Sequence, residues 1–232
     1  MFDLLRIIFF LILSYLLGSI PSGLIIVRIL SGKDVRQVAS GRTGGTNAMR
    51  AAGIAAGLLT VIFDGLKGLA TAGVVAWLMP GNAWAQVFAA LAAILGHNYS
   101  IFLMEHTEDG KVVLRGGAGG ATAVGGSIAL WPLSGFIIVP LAVLVFLFIG
   151  YASVTTISVT VFATIIFAVR AAQGISSPVY IAYGVLSFLI VMWALRPNLE
   201  RLRQGNERLH GLRAKIQKKK LEEAIKKPEE NG

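Results

Sequence analysis

Apolar residues in this chain gather into stretches about as long as a bilayer is thick, and that restricts the possible folds severely. A helix needs about 20 apolar residues, within a range of about 17–25, to cross the hydrocarbon layer. Stretches of this kind cover residues 4–27, 53–79, 83–104, 133–149, 153–169 and 178–195, with a shorter one ending near residue 130. None shows the two-residue alternation of a membrane barrel. With 55% hydrophobic and 14% charged residues, the chain is too apolar for an ordinary soluble domain. The expected class is an all-α integral membrane protein with about seven transmembrane helices over residues 1–195. A basic amphipathic helix over residues 198–224 and a frayed end at residues 228–232 should follow, within a C-terminal segment spanning 196–232. The first stretch is too long for a signal h-region and is read as a retained span. There is no cysteine, which rules out disulfides and thiolate metal sites.

The charges are unevenly placed. Of 21 Lys and Arg residues, five lie within residues 28–50, two within 105–115 and eleven from residue 196 onward. Seven crossings would put these three segments on one face, together with the tight turn at Tyr151. The positive-inside rule then assigns that face to the cytoplasm, with the N-terminus outside and the C-terminus cytoplasmic. The run Lys218-Lys219-Lys220 suits an anionic leaflet. No aromatic residues are interleaved with the charges, so nucleic acid is not an expected partner.

The most densely polar interval is Ser40-Gly41-Arg42-Thr43-Gly44-Gly45-Thr46-Asn47-Ala48-Met49-Arg50. It combines hydroxyls, an amide, two guanidinium groups and glycines that allow close backbone approach, a set suited to an anion such as phosphate. An ordinary polar loop would also fit. A second glycine-rich run, Gly116-Gly117-Ala118-Gly119-Gly120, opens an apolar stretch. Backbone N–H groups at a helix start attract anions, although small residues also serve close helix packing. Within the first stretch, Gly18-Ser19-Ile20-Pro21-Ser22-Gly23 predicts a break. Asp64 and Lys67, three residues apart on one helix face, are expected to pair. His97 is expected to be structural. HExxH and paired loop carboxylates are lacking, so metal hydrolysis and two-carboxylate chemistry are not expected. Positioning of phosphorylated substrates and stabilisation of developing charge remain.

Several of these stretches carry a family resemblance. Gly18–Gly23, Asp34-Val35-Arg36, Ser40 to Asn47 with Arg50, Phe63-Asp64-Gly65-Leu66-Lys67-Gly68, Gly96-His97-Asn98 before a glycine loop, and Asn198-Leu199-Glu200-Arg201-Leu202 with Gly205 and Glu207 occur in order. Together they resemble the bacterial acyl-phosphate:glycerol-3-phosphate acyltransferases, small seven-span enzymes that begin phospholipid synthesis. The resemblance implies acyl transfer from acyl phosphate to the 1-hydroxyl of glycerol 3-phosphate at the bacterial inner membrane, on its cytoplasmic side, with no metal or other cofactor. It implies catalytic roles for Ser40, Arg50 and Asn198. Substrate phosphate would be held by Thr46, Asn47, Arg115, Gly116, Gly117, Gly119 and Ser153. His97, Asp64, Lys67 and Glu207 would be structural. The chain departs from the family pattern at five positions: Arg42 stands for asparagine, Ser100 for proline, Arg115 and Ala118 for the two loop lysines, and Leu195 for a histidine. Residues 105–113 look like an insertion. Two other readings fit the residues: a relative that binds phospholipid precursors without turnover, and a small transporter.

Overall fold

The structure, a computed structural model, describes residues 2–226, so the expectation for residues 228–232 lies outside the described residues. Each of the seven apolar stretches is helical. The first is split: α1 (Phe2–Ser19) and α2 (Ser22–Ser31) are separated by Ile20-Pro21. Proline cannot donate and clashes with the preceding turn, which leaves carbonyls without partners at the break. Lys67 supplies the missing donor. Its Nζ bonds Ile20 O at 2.7 Å and Gly18 O at 3.3 Å, while its charge pairs with Asp64 at 2.8 Å. The expected break and the expected ion pair are therefore parts of one device, in which buried charge satisfies broken backbone.

The remaining apolar helices are α3 (Gly45–Leu78), α4 (Ala83–Asn98), α5 (Gly120–Leu130), α6 (Ser134–Phe148), α7 (Ala152–Ala172) and α8 (Val179–Ala194). α3 kinks at Ala52-Gly53, so its first turns form a separate arm carrying Thr46, Asn47 and Arg50. α3 and α5 pack at backbone distance. A Cβ at Gly68 would lie 2.0 Å from Thr122 O, and one at Gly125 would lie 1.9 Å from Gly65 O. Lipid offers no hydrophobic drive for helices to associate, and such small-residue seams supply the van der Waals contact instead. Ile94, Ile138, Val159, Phe167 and Tyr183 fill the centre of the bundle, where the Tyr183 hydroxyl donates to Ala123 O at 2.6 Å. Large apolar side chains such as Trp77, Phe136 and Ile29 face outward.

Among the described residues, four helical stretches are long and apolar enough to cross a bilayer: Asp3–Ser31 taken through its break, Gly45–Leu78, Ala83–Leu103 and Ala152–Ala172. A fifth is α8 with α9 (Arg196–Arg203), which is bent by 67° between the two; α5 and α6 are shorter apolar helices. The segment that looks like an insertion, residues 105–113, belongs to a hairpin, with β1 (Met104–His106) antiparallel to β2 (Val112–Leu114). One expectation needs correction. The tail is not one helix over residues 198–224. α9 stops at Arg203, Gly205 takes a φ of 73°, and α10 (Gly211–Lys226) starts afresh. Between them Leu209 pairs with Tyr151, and His210 N donates to Gly150 O at 2.7 Å. The pull of the α6–α7 turn outweighs local helix propensity there.

Candidate active site

Four segments distant in sequence meet at one end of the bundle. The loop before α3 reaches the glycine run through Thr43 N, which donates to Gly116 O at 3.3 Å. Arg42 Nη1 donates to Gly117 O at 2.8 Å, and its Nη2 donates to Ala194 O at the end of α8. Arg50 donates to His210 Nε2 in the segment before α10. Ser153, near the start of α7, donates to Glu207 Oε2 at 2.6 Å, and Asn198 Nδ2 donates to Glu207 Oε1 at 3.4 Å.

The glycine run lies against the end of α4. Gly117 N donates to His97 O at 2.8 Å, and a Cβ on Gly117 would fall 2.0 Å from His97 Nε2. Gly119 caps α5 with φ 87°, a conformation that excludes most other residues. The first turn of α5 therefore directs its N–H groups at the same end where the arginines gather, an electrostatic arrangement that favours anions. Two buried side chains beside it lack partners. Both amide atoms of Asn98, next to Gly119, and the Thr122 hydroxyl make no hydrogen bond, and neither does Asn198 Oδ1. Buried polar groups are rarely left unsatisfied, so these donors and acceptors point to a polar ligand.

The expected residues divide into those that face this space and those held elsewhere. Ser40 is half-buried, with its Oγ 3.4 Å from Arg42 N, and Thr46 stands in the first turn of α3. Asn47 is a staple: its Nδ2 lies within 2.9 Å of Val35 O and Val38 O and 2.8 Å of Arg42 O, which shapes the loop from within. Arg115 is turned away. It bonds Glu105 across the hairpin, and Arg36 joins Glu105 at 3.3 Å and Asp34 at 2.6 Å. Arg36 bonded to Asp34 holds that carboxyl below its usual range. Ser153 is buried against Glu207, which itself gathers α7 and α9 as a structural residue would. Asp64, Lys67 and His97 form a buried cluster behind the glycine run, with His97 Nδ1 3.5 Å from Asp64. Sequence reasoning did not assign Asn98, Thr122 or His210 to the site. Asn98 could have been found from its place at a helix end beside a glycine loop; His210 lies beyond every motif.

The sequence model described as glycerol-3-phosphate acyltransferase matches residues 8–205. The chain belongs to the glycerol-3-phosphate acyltransferase family. A curated glycerol-3-phosphate acyltransferase of Rubrobacter xylanophilus is 38% identical over 88% of this chain and 94% of its own length. The Thermus thermophilus relative of the same name is 36% identical over 88% of this chain and 95% of its own. Among solved structures, the glycerol 3-phosphate form of PlsY (YgiH), an integral membrane glycerol 3-phosphate acyltransferase, superposes with a TM-score of 0.75 at 31% identity, covering 89% of this chain and 96% of that one. The lysophosphatidic acid form gives 0.73 at 30% identity. As a member of the glycerol-3-phosphate acyltransferase family, the chain is an integral membrane protein.

Proposed function

We propose that the protein transfers a fatty acyl group from acyl phosphate to the 1-hydroxyl of glycerol 3-phosphate, the first step of phospholipid synthesis. The observation that carries this reading is the convergence of Ser40, Arg42, Arg50, Asn198 and the α5 N-terminus, with unpartnered buried groups among them, in a family member. Family membership across residues 8–205 favours an enzyme over an inert relative or a transporter.

Acyl phosphate is already an activated mixed anhydride, so orientation and charge stabilisation suffice. The 1-hydroxyl oxygen attacks the acyl carbonyl carbon and forms the ester bond. The bond from that carbon to the phosphate oxygen breaks, and its electron pair leaves with phosphate. The hydroxyl proton passes to the departing phosphate, giving lysophosphatidic acid and inorganic phosphate. Ser40 and Arg50 stand at the loop where the two substrates meet, Asn198 approaches from α9, and backbone N–H groups from Gly116, Gly119 and the start of α5 face the phosphate, whereas the Gly117 N–H is spent on His97 O and fixes the run in place. Thr46 is a further hydroxyl donor. The fatty chain lies in the bilayer beside the bundle.

The accompanying topology has seven crossings, with the N-terminus outside and the gathered face on the cytoplasmic side of the bacterial inner membrane. The weight of Lys and Arg on that face supports it. Purified protein in lipid should convert acyl phosphate and glycerol 3-phosphate into lysophosphatidic acid, and Ser40→Ala should lower the rate by at least about hundredfold, as loss of a transition-state contact does. A folded wild-type protein that releases no lysophosphatidic acid would overturn the assignment.

A further inference from the structure

Arg42 is a half-buried guanidinium with no carboxylate partner among the described residues. Its hydrogen-bond partners are two backbone carbonyls from separate parts of the chain, Gly117 O in the glycine run and Ala194 O at the end of α8. Carbonyl dipoles anchor a cation without neutralising it. Its strongest charged neighbour is Arg201, a like charge. Of the five N–H donors a guanidinium carries, these two bonds engage only part, and the remainder stay available. A cation held this way beside the unpartnered Asn98 amide and the α5 N-terminus lacks a counter-charge that an anionic ligand would supply.

The two anchoring carbonyls also fall beside two departures from the family pattern. Gly117 immediately precedes Ala118, where a loop lysine is missing, and Ala194 immediately precedes Leu195, where a histidine is missing. Arg42 is itself a departure, since the family has asparagine there. Three substitutions scattered over more than 150 residues thus meet at one guanidinium. We propose that Arg42 is a substrate-phosphate ligand of this enzyme, and that it replaces in one side chain the positive charge of the absent loop lysine and the polar group of the absent histidine. The planar fork also fixes the spacing between the glycine run and the α8–α9 bend, so Arg42 positions the site while it binds.

The inference rests on the proposed acyl transfer, and the experiment separates the two. Wild type, Arg42→Asn, Arg42→Gln and the triple variant Arg42→Asn/Ala118→Lys/Leu195→His are prepared in lipid. Thermal protection by inorganic phosphate and by glycerol 3-phosphate is read without turnover, and KM and kcat are read with it. Arg42→Gln removes the charge and keeps an amide donor on a shorter side chain, so its melting temperature without ligand is read first, to separate lost anchoring from lost phosphate binding. Loss of a charge-assisted contact predicts that this variant loses phosphate protection and that the KM for a phosphate-bearing substrate rises about tenfold or more, beyond any change in kcat. Arg42→Asn should fall further, and the triple variant should recover most of the loss. Phosphate protection and KM equal to wild type in Arg42→Gln would overturn the assignment, as would a triple variant no better than Arg42→Asn. If wild type shows Arg42-dependent phosphate protection but makes no lysophosphatidic acid, the acyl-transfer reading fails while the Arg42 site stands.

Discussion

At Gly117 the backbone runs so close to the imidazole of α4 that no side chain fits, since the added Cβ would meet His97 Nε2 at 2.0 Å. The imidazole cannot retreat easily, because it is buried and lies against Asp64 at 3.5 Å. Gly117→Ala must therefore push the glycine run outward, and overpacking of this kind costs about 1–3 kcal/mol. The catalytic cost should be larger in proportion, since a misplacement of about 1 Å can lower a rate about hundredfold. The expected outcome is a modest fall in melting temperature with a loss of acyl transfer of at least about tenfold. Gly73→Ala provides the contrast. A Cβ there meets nothing within 4 Å, and Gly73 lies in the interior of α3. It should be neutral or stabilise by about 0.5–1 kcal/mol. A Gly117→Ala enzyme with wild-type rates would show that the loop is slack rather than moulded to His97.

Among the elements, the split between α1 and α2 depends on one side chain from α3. Replacing Lys67 by Met would strand the carbonyl of Gly18, leave that of Ile20 with only the Ser22 N–H, and leave Asp64 buried beside His97 without its cation. Breaking one partner of a buried pair costs about 3–5 kcal/mol. Adding Asp64→Asn should recover part of that loss, because the stranded charge disappears while the orphaned Gly18 carbonyl remains; melting curves of the single and double variants measure both terms. The break and the pair were readable in the sequence, since Pro21 and the spacing of Asp64 and Lys67 are local signals. That each resolves the other was not, because the contact joins residues nearly fifty positions apart. The helical stretches were legible for the same local reason, through length and apolarity. The hairpin had a signal in Asp109-Gly110, where Gly110 adopts a φ of 72° that favours such a turn. The tail misled because charged and apolar residues alternate helically on both sides of Gly205, yet the backbone N–H groups of residues 204–206 close off α9, Gly205 turns left-handed, and Leu209 and His210 pair with Tyr151 and Gly150. In the site, residue types revealed an anion-binding loop, but not the division of labour. Asn47 bonds its own loop, Ser153 bonds Glu207 and Arg115 bonds Glu105, each decided by partners that only the fold brings near.

Taken whole, the molecule closes its polar end with its own tail. The segment before α10 crosses the α6–α7 turn and places His210 on Arg50, with its ring stacked 5.4 Å from Phe146. Arg50 donates to Nε2, so the imidazole must be neutral there, and protonation would remove the acceptor and add a like charge. Burial first, then Arg50 and Arg208, lower the His210 pKa from an ordinary 6.5 to about 4. A depressed pKa in the docked state means that the undocked tail binds the proton more readily. Docking is therefore at full strength above about pH 6.5 and weakens progressively as the pH falls towards about 4. The chain has no cysteine, so Leu212→Cys gives a single attachment point for a spin label just past the docked segment. In lipid at neutral pH the label should be restrained, and it should gain mobility through that window. His210→Gln, which cannot take up a proton, should abolish the transition whatever its mobility at neutral pH. A transition of the same size and midpoint in His210→Gln would assign the pH response to another group and remove His210 from the closure of the site.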